Sequence, residues 1–358
     1  MKKLVFLLSA LSLMACNKNE DNEKEVKPSS YELSNWAMMK EIEFSVPKDS
    51  VAVVSVNGVT VAEIVGPENH AIARVPAWAK ASDGLRADYE LADFKYDVQY
   101  IPMAGDQVTN YSDQATIAFE DLRTQIDADY NDFIVEVKTL TSLEESNDKG
   151  FYDVYVEFQK ISPIAMGAEY NMAFGCEIVA FYSNGTIQRK DVVLSENVRT
   201  EYFGGVNKML NTIKPGPTNG YVSDGPSIKT SAKSITDKVV AQFEGKPTKV
   251  ELIYYIDVFN TQQRHYAVAV AETANNGMYK LGFDGEFVGE IAGEEAEYAL
   301  GLYLPAVLSA GENPLNPFLY LKEKESIFDA YPNFGDWLKG SFEGNPFANV
   351  QEDYVYNK

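Results

Sequence analysis

Val51-Ala52-Val53-Val54-Ser55-Val56, then Asn57-Gly58, then Val59-Thr60-Val61-Ala62-Glu63-Ile64 decides the fold class. Two runs rich in β-branched residues flank a dipeptide suited to the φ > 0 positions of a tight type I′ turn, so the stretch reads as a β-hairpin. The same signals recur downstream. Phe151 to Phe158 (FYDVYVEF) alternates with period two over much of its length. Ile178 to Tyr182, the turn Ser183-Asn184-Gly185-Thr186 and Asp191 to Leu194 give a second hairpin. Val250 to Phe259 with His265 to Ala271 gives another strand pair, and Asn276-Gly277 and Asp284-Gly285 mark further turns. Short strands at this spacing predict an all-β chain: a small N-terminal β-domain, then a larger β-sandwich, jelly-roll-like or Ig-like, with a short C-terminal helix. Aromatic content of 12 %, with 22 Tyr, suits half-buried strands.

The helix is expected within Glu323 to Lys339, where Ile327, Phe328, Tyr331, Phe334 and Trp337 form an apolar stripe that Pro332 should end or kink. Residues 205 to 238, rich in Gly, Pro, Ser, Thr and Asn, predict a long irregular excursion from a sandwich edge. The expected division is 1–15 signal peptide, 16–30 disordered tether, 31–105 small β-domain with Trp78 as a core anchor, 112–345 sandwich domain, and 346–358 C-terminal tail.

The N-terminus reads MKKLVFLLSALSLMAC. Lys2 and Lys3 precede an apolar run, Leu4 to Met14, that is too short to span a bilayer, which takes roughly 20 helical residues. It has the form of a secretory signal. Leu13-Met14-Ala15-Cys16 resembles a lipobox, and the resemblance implies that Cys16 is acylated and becomes the mature N-terminus; two or three acyl chains anchor a protein stably. Residues 17 to 30 hold one large apolar residue, Val26, and read as a flexible tether. Its acidic cluster (Glu20, Asp21, Glu23, Glu25) resembles the signals that carry Bacteroidota lipoproteins to the outer face of the outer membrane; a solvated linker facing the periplasm is the other reading. Without residues 1–15 the chain carries 29 Lys and Arg against 53 Asp and Glu, a formal charge of −24. Such a surface repels nucleic acid and anionic lipid headgroups. Cys176 has no intramolecular partner if Cys16 is lipidated, and reads as a small buried thiol.

The densest set of candidate ligands is Phe119-Glu120-Asp121-Leu122, then Arg123 to Ile126, then Asp127-Ala128-Asp129-Tyr130-Asn131-Asp132-Phe133. Glu120, Asp121, Asp127, Asp129, Asn131 and Asp132 offer side-chain oxygens in a short span. Ca²⁺ takes six to eight oxygens in a flexible shell. If the segment is extended, alternation puts Asp127, Asp129 and Asn131 on one side. It is no EF-hand: Asp132 stands where glycine is needed and Lys138 where a bidentate Glu is required. The same residues also suit an acidic turn whose side chains accept from backbone amides.

This run resembles the signature of LruC-type domains, which carry DUF4842. Ala165-Met166-Gly167-Ala168-Glu169-Tyr170, Ala173-Phe174-Gly175, Asn316-Pro317-Phe318-Leu319 and Ala330-Tyr331-Pro332-Asn333-Phe334 with Trp337 resemble further elements of that family. The likeness spans roughly residues 115 to 340. Arg123-Thr-Gln-Ile126 replaces the family's usual Trp-Pro-Gly stretch, and the segment before the terminal motif is nearly absent. The resemblance implies an exported β-module with no established enzymatic activity, and favours structural calcium at the acidic run.

Enzyme motifs are missing. Two histidines, His70 and His265, exclude a multi-histidine zinc site, and there is no HExxH, nucleophile elbow or phosphate-binding loop. Paired carboxylates such as Glu294 with Glu295, or Asp257 with Glu251, stand out only by abundance. Tyr254-Tyr255 and Tyr298 to Tyr303 suit either a glycan platform or the core. The expectation is a non-catalytic lipoprotein, anchored to the outer membrane and facing the cell surface, that presents a calcium-stabilised β-module for adhesion to a protein or glycan partner. The alternative is a glycan-binding lipoprotein or a carboxylate-based glycosidase.

Overall fold

The computed structural model describes residues 33–65, 71–82, 94–103, 110–122, 128–168, 170–205, 211–212, 220–222, 228–229, 237–267, 269, 289–291, 294–296, 299–305, 318–322 and 324–355. The expected signal sequence with Cys16, the expected tether, His70, Asp127 and the expected turns at 276–277 and 284–285 lie outside these residues. The chain runs through β1 (Met39–Phe44), β2 (Ser50–Val56), β3 (Val59–Val65), β4 (Ala71–Pro76), β5 (Lys80–Ala81), β6 (Lys95–Pro102) and β7 (Asn110–Phe119). It continues through β8 (Phe133–Glu145), β9 (Phe151–Ala165), β10 (Met172–Phe181), β11 (Ile187–Ser195) and α1 (Val198–Phe203). Then come β12 (Asn211–Thr212), β13 (Gly220–Val222), β14 (Ile228–Lys229), β15 (Asp237–Glu244), β16 (Lys249–Val258) and β17 (Gln263–Tyr266). The last elements are β18 (Gly289–Ile291), β19 (Glu294–Ala296), β20 (Gly301–Pro305), α2 (Ile327–Ala330) and α3 (Phe334–Leu338).

The fold is all-β. A nine-stranded sheet runs β15-β9-β8-β7-β3-β2-β6-β5, and β20 adds to β7 beside β3. A four-stranded sheet, β11-β10-β16-β17, faces it. Alternation decides the faces. Ile117 and Phe119 of β7 and Val135 and Val137 of β8 meet Phe174, Cys176 and Ile178 of β10 in one core. An aromatic chain crosses it: Phe119 and Phe133 are 6.4 Å apart between ring centroids, Phe133 and Phe174 5.3 Å, Phe174 and Tyr254 6.0 Å. Cys176 is free and fully buried there, and burial raises its thiol pKa, so the thiolate nucleophile is disfavoured.

The opening hairpin forms as the sequence predicts. Asn57 (φ 49°) and Gly58 (φ 82°) both take the left-handed region between the paired Val56 and Val59. The Asn57 side chain accepts from Lys95 N at 2.8 Å and so ties the turn to β6. The boundary expected near residue 105 falls between β6 and β7, which belong to the same sheet. A second core joins Val54, Ile64, Tyr130, Ile134, Leu302 and Phe334 across both halves of the expected division. The expected tail also enters this core, through Phe347 and Val355, and Val355 bridges to Leu321. The 323–339 helix is two short helices, interrupted at Tyr331–Asn333, where Pro332 cannot continue the ladder. Within the 205–238 excursion, β12, β13 and β14 form a small antiparallel sheet.

Gly175 shows why a strand interior tolerates no side chain. It pairs with Tyr255, and a Cβ there would strike the Tyr255 phenol and stand 2.6 Å from Val192 O. The guanidinium of Arg264 stacks on that tyrosine ring at 3.5 Å, which limits its retreat. Gly175→Ala is expected to cost about 1–3 kcal/mol by overpacking, read as a lower denaturant midpoint.

Candidate functional site

The acidic run sits at one end of the sandwich, where β7 ends and β8 begins. Glu120, Asp121, Asp129 and Asn131 are all buried, at 2 %, 5 %, 2 % and 2 % exposure, and Asp132 is partly exposed. Much of this carboxylate oxygen serves the backbone. Glu120 Oε1 accepts from Tyr130 N at 2.7 Å, and Asp132 Oδ2 accepts from Asp121 N at 2.7 Å. Asp129 Oδ1 accepts from Asn131 N at 3.3 Å; its Oδ2 accepts from Asn131 Nδ2 at 2.8 Å and Lys324 N at 2.7 Å. The turn chemistry that the residue types suit is therefore realised.

The segment around Asp129 is not extended. Ala128 (φ 59°) and Tyr130 (φ 49°) both lie in the left-handed region, so simple alternation does not apply around Asp129. That conformation is costly for a non-glycine residue. The hydrogen bonds of Glu120 and Asp129 hold it, together with the Tyr130 hydroxyl, which donates to Ala299 O at 2.7 Å.

Motifs distant in sequence meet here. Gly167 N donates to Asn131 O at 2.9 Å and Ala168 N to Asp132 O at 3.2 Å, so the glycine-alanine segment closes on the loop through its backbone. Ile327 N, at the start of α2, donates to Ala128 O at 2.8 Å. Arg199 of α1 donates from Nη2 to Ala168 O at 2.6 Å and lies within electrostatic reach of Asp121. His265 is fully buried, with Nδ1 2.7 Å from Glu120 O, which makes it a hydrogen-bonded structural residue.

Two further features of the loop are electrostatic and polar. Burial raises the Asp132 carboxyl well above its ordinary pKa, and the nearby Glu120, Asp121 and Asp129 charges raise it further. Asn131 Oδ1 is buried with no protein donor, because the amide's other end is committed to Asp129. Among the described residues, no group of three or more His, Cys, Asp or Glu side chains is arranged to hold a metal ion.

The other candidates resolve differently. Asp257 is held by Arg264 through two 2.8 Å hydrogen bonds, and Glu251 pairs with Arg74 and Lys249. They stand six positions apart in β16, about 20 Å at ~3.3 Å per residue, too far for a carboxylate pair at roughly 5–10 Å. Tyr254, Tyr255 and Tyr303 are buried and line no exposed platform. Glu294 and Glu295 lie in β19, and their side chains are outside the described set.

A family model described as a domain of unknown function, DUF4114, matches residues 80–139, which include Glu120 to Asp132. No curated protein matches the chain. Among solved structures, a candidate lipoprotein from Bacteroides ovatus is similar at 11 % identity and a TM-score of 0.38, covering 86 % of this chain and 93 % of that one. No helix among the described residues is long and apolar enough to cross a membrane.

Proposed function

We propose that this chain is a non-catalytic lipoprotein, anchored through Cys16 to the outer membrane and facing the cell surface, whose acidic loop binds a structural Ca²⁺. The bound module would present its β-surface to a protein or glycan partner in adhesion. The anchor reading rests on the Leu13-Met14-Ala15-Cys16 motif and the acidic tether behind it. The LruC-type resemblance of residues 115–340 supports the exported, non-enzymatic module.

The observation that carries the calcium reading is the buried Asn131 Oδ1. An acceptor removed from water without a donor costs about 1–3 kcal/mol. It sits among carboxylates whose mutual repulsion a divalent cation would relieve. Asn131 and Asp132 are the residues that would hold the ion, with Glu120, Asp121 and Asp129 setting the field. The cation's role is to fix the loop, and it stabilises the fold as RT ln(1 + [Ca²⁺]/Kd), about 2.7 kcal/mol at a hundredfold excess over Kd.

The test is thermal unfolding of the full chain in calcium and in chelator. The midpoint is expected to rise with calcium, and the rise to disappear in Asn131→Ala. Equal midpoints in calcium and chelator would overturn the metal reading.

A further inference from the structure

The nine-stranded sheet ends on two unequal edges. β5 is two residues long, which leaves little backbone to pair. β15 runs for eight residues, and its one strand partner among the described residues is β9. β11, the edge of the facing sheet, carries Arg189, Lys190 and Asp191 at its centre, charges of the kind that blunt an edge. The centre of β15 is Val239-Val240-Ala241. Val240 is 57 % exposed, the most exposed large hydrophobic side chain among the described residues, and Tyr155, its partner on β9, is 38 % exposed.

Hydrogen bonding fixes which backbone groups face outward. Phe151 O accepts from Ser146 N, so Phe151 turns its polar groups toward β8, and those of its partner Glu244 face away from β9. The Gln188 side chain takes them up, donating to Glu244 O at 3.0 Å and accepting from Glu244 N at 3.4 Å. By alternation Lys238, Val240 and Gln242 also direct N–H and C=O to that side. No described strand continues the sheet there.

The side chains select the partner and the register. In an antiparallel pair, opposite residues exchange their bonds, so a second β15 must set Lys238, Val240, Gln242 and Glu244 against one another. Centring on Gln242 would gather Asp148 and Asp153 from both copies, because they lie 3.4 and 3.3 Å from the Gln242 amide. Centring on Ala241 would set Val240 against Gln242 and displace Gln188 from Glu244. Centring on Val240 does neither. It sets Val240 against Val240, with a Tyr155 beside each. It also sets Lys238 opposite Gln242, next to the Asp148 and Asp153 of the other copy. Apolar side chains then meet apolar ones, and a cation meets carboxylates. Three hydrogen-bonded pairs exchange about six backbone bonds.

We propose that two copies of this chain join β15 to β15, antiparallel about Val240, into one continuous sheet. The contact is isologous, so it closes on itself as a dimer. It is independent of the acidic loop and does not require calcium there.

Sedimentation of the full chain with Cys16→Ser, in which acylation cannot drive association, tests this. The measurement is made at about 0.15 M salt, which screens the repulsion between two chains of formal charge −22. A concentration-dependent dimer is expected below about 100 µM. Val240→Lys should fold, as read by circular dichroism, and weaken the dimer at least about tenfold, since two like charges would stand opposite each other. Val240→Cys should cross-link the dimer under mild oxidation, because opposite residues of a hydrogen-bonded pair lie within disulfide reach. Gln242→Cys should not, because the two copies of that position are offset by four residues, about 13 Å at ~3.3 Å per residue. If Val240→Lys does not fold, the two cysteine variants decide. A monomer at every concentration up to about 200 µM, a dimer unchanged by Val240→Lys, or cross-linking through Gln242→Cys in place of Val240→Cys would each overturn the proposal.

Discussion

Trp36→Ala is expected to destabilise the fold by about 3–5 kcal/mol, the range for emptying a buried tryptophan site. Trp36 is fully buried, and its ring lies 6.1 Å from Tyr130, 6.0 Å from Phe328 and 5.7 Å from Phe334. These rings come from the N-terminal turn, the acidic loop and the two C-terminal helices. Truncation would remove the body that all of them share. The walls have little freedom to collapse, because Tyr130 is pinned at both its amide and its hydroxyl. Residual cavity adds to the lost transfer energy, which places the expectation toward the upper part of the range. Trp36→Phe keeps much of the aromatic contact and should cost less than half as much. Denaturant unfolding reads both, as a lower midpoint with an unchanged slope. A loss below about 1 kcal/mol for the alanine variant would mean that the cluster repacks around the gap.

The strands were legible because their signals are local. Asn57-Gly58 states its turn type in two residues, and the β9 alternation needs only its own neighbours. Pro332 breaks the C-terminal helix by its own covalent structure. Pairing across long separations left no such trace. β20 joins β7 through Gly301↔Phe119, some 180 residues apart, and no periodicity within Gly301–Pro305 names that partner. The union of β2, β3 and β6 with β7, β8 and β9 in one sheet was invisible for the same reason. The expected division placed a domain boundary near residue 105, while register between distant strands decided the sheet. The candidate site was legible as chemistry and illegible as geometry. Residue types marked Glu120, Asp121, Asp129, Asn131 and Asp132 as oxygen donors. Neither Ala128 nor Tyr130 has an intrinsic left-handed preference, so the bend imposed by Glu120 and Asp129 could not be read from them. Lys324 carried no signal at all, since it contributes through its backbone amide.

That amide leads to the second large expectation. Asp129→Ala should cost about 3 kcal/mol and loosen the segment from Phe318 to Val355. Asp129 accepts from Asn131 N, Asn131 Nδ2 and Lys324 N, and its removal leaves these donors short of an acceptor in a buried place. Each such loss costs about 1–3 kcal/mol. A gain opposes it, because one fewer carboxylate faces Asp132. Asp129→Asn separates the two effects. It removes the charge and keeps one acceptor oxygen, so without calcium it should cost less than the alanine variant. If the loop holds a cation, the asparagine variant should also lose part of the calcium-dependent rise in midpoint. Limited proteolysis reads the clasp directly: cleavage within residues 318–355 should appear in the alanine variant before the strands are cut. The clasp and the Trp36 cluster hold the same helices against the same loop, so their effects should be coupled. The double variant Trp36→Ala/Asp129→Ala should fall short of the sum of the single losses by about 0.5–3 kcal/mol. Strict additivity, together with an uncut C-terminal segment in Asp129→Ala, would show that the loop and the C-terminal helices are held independently.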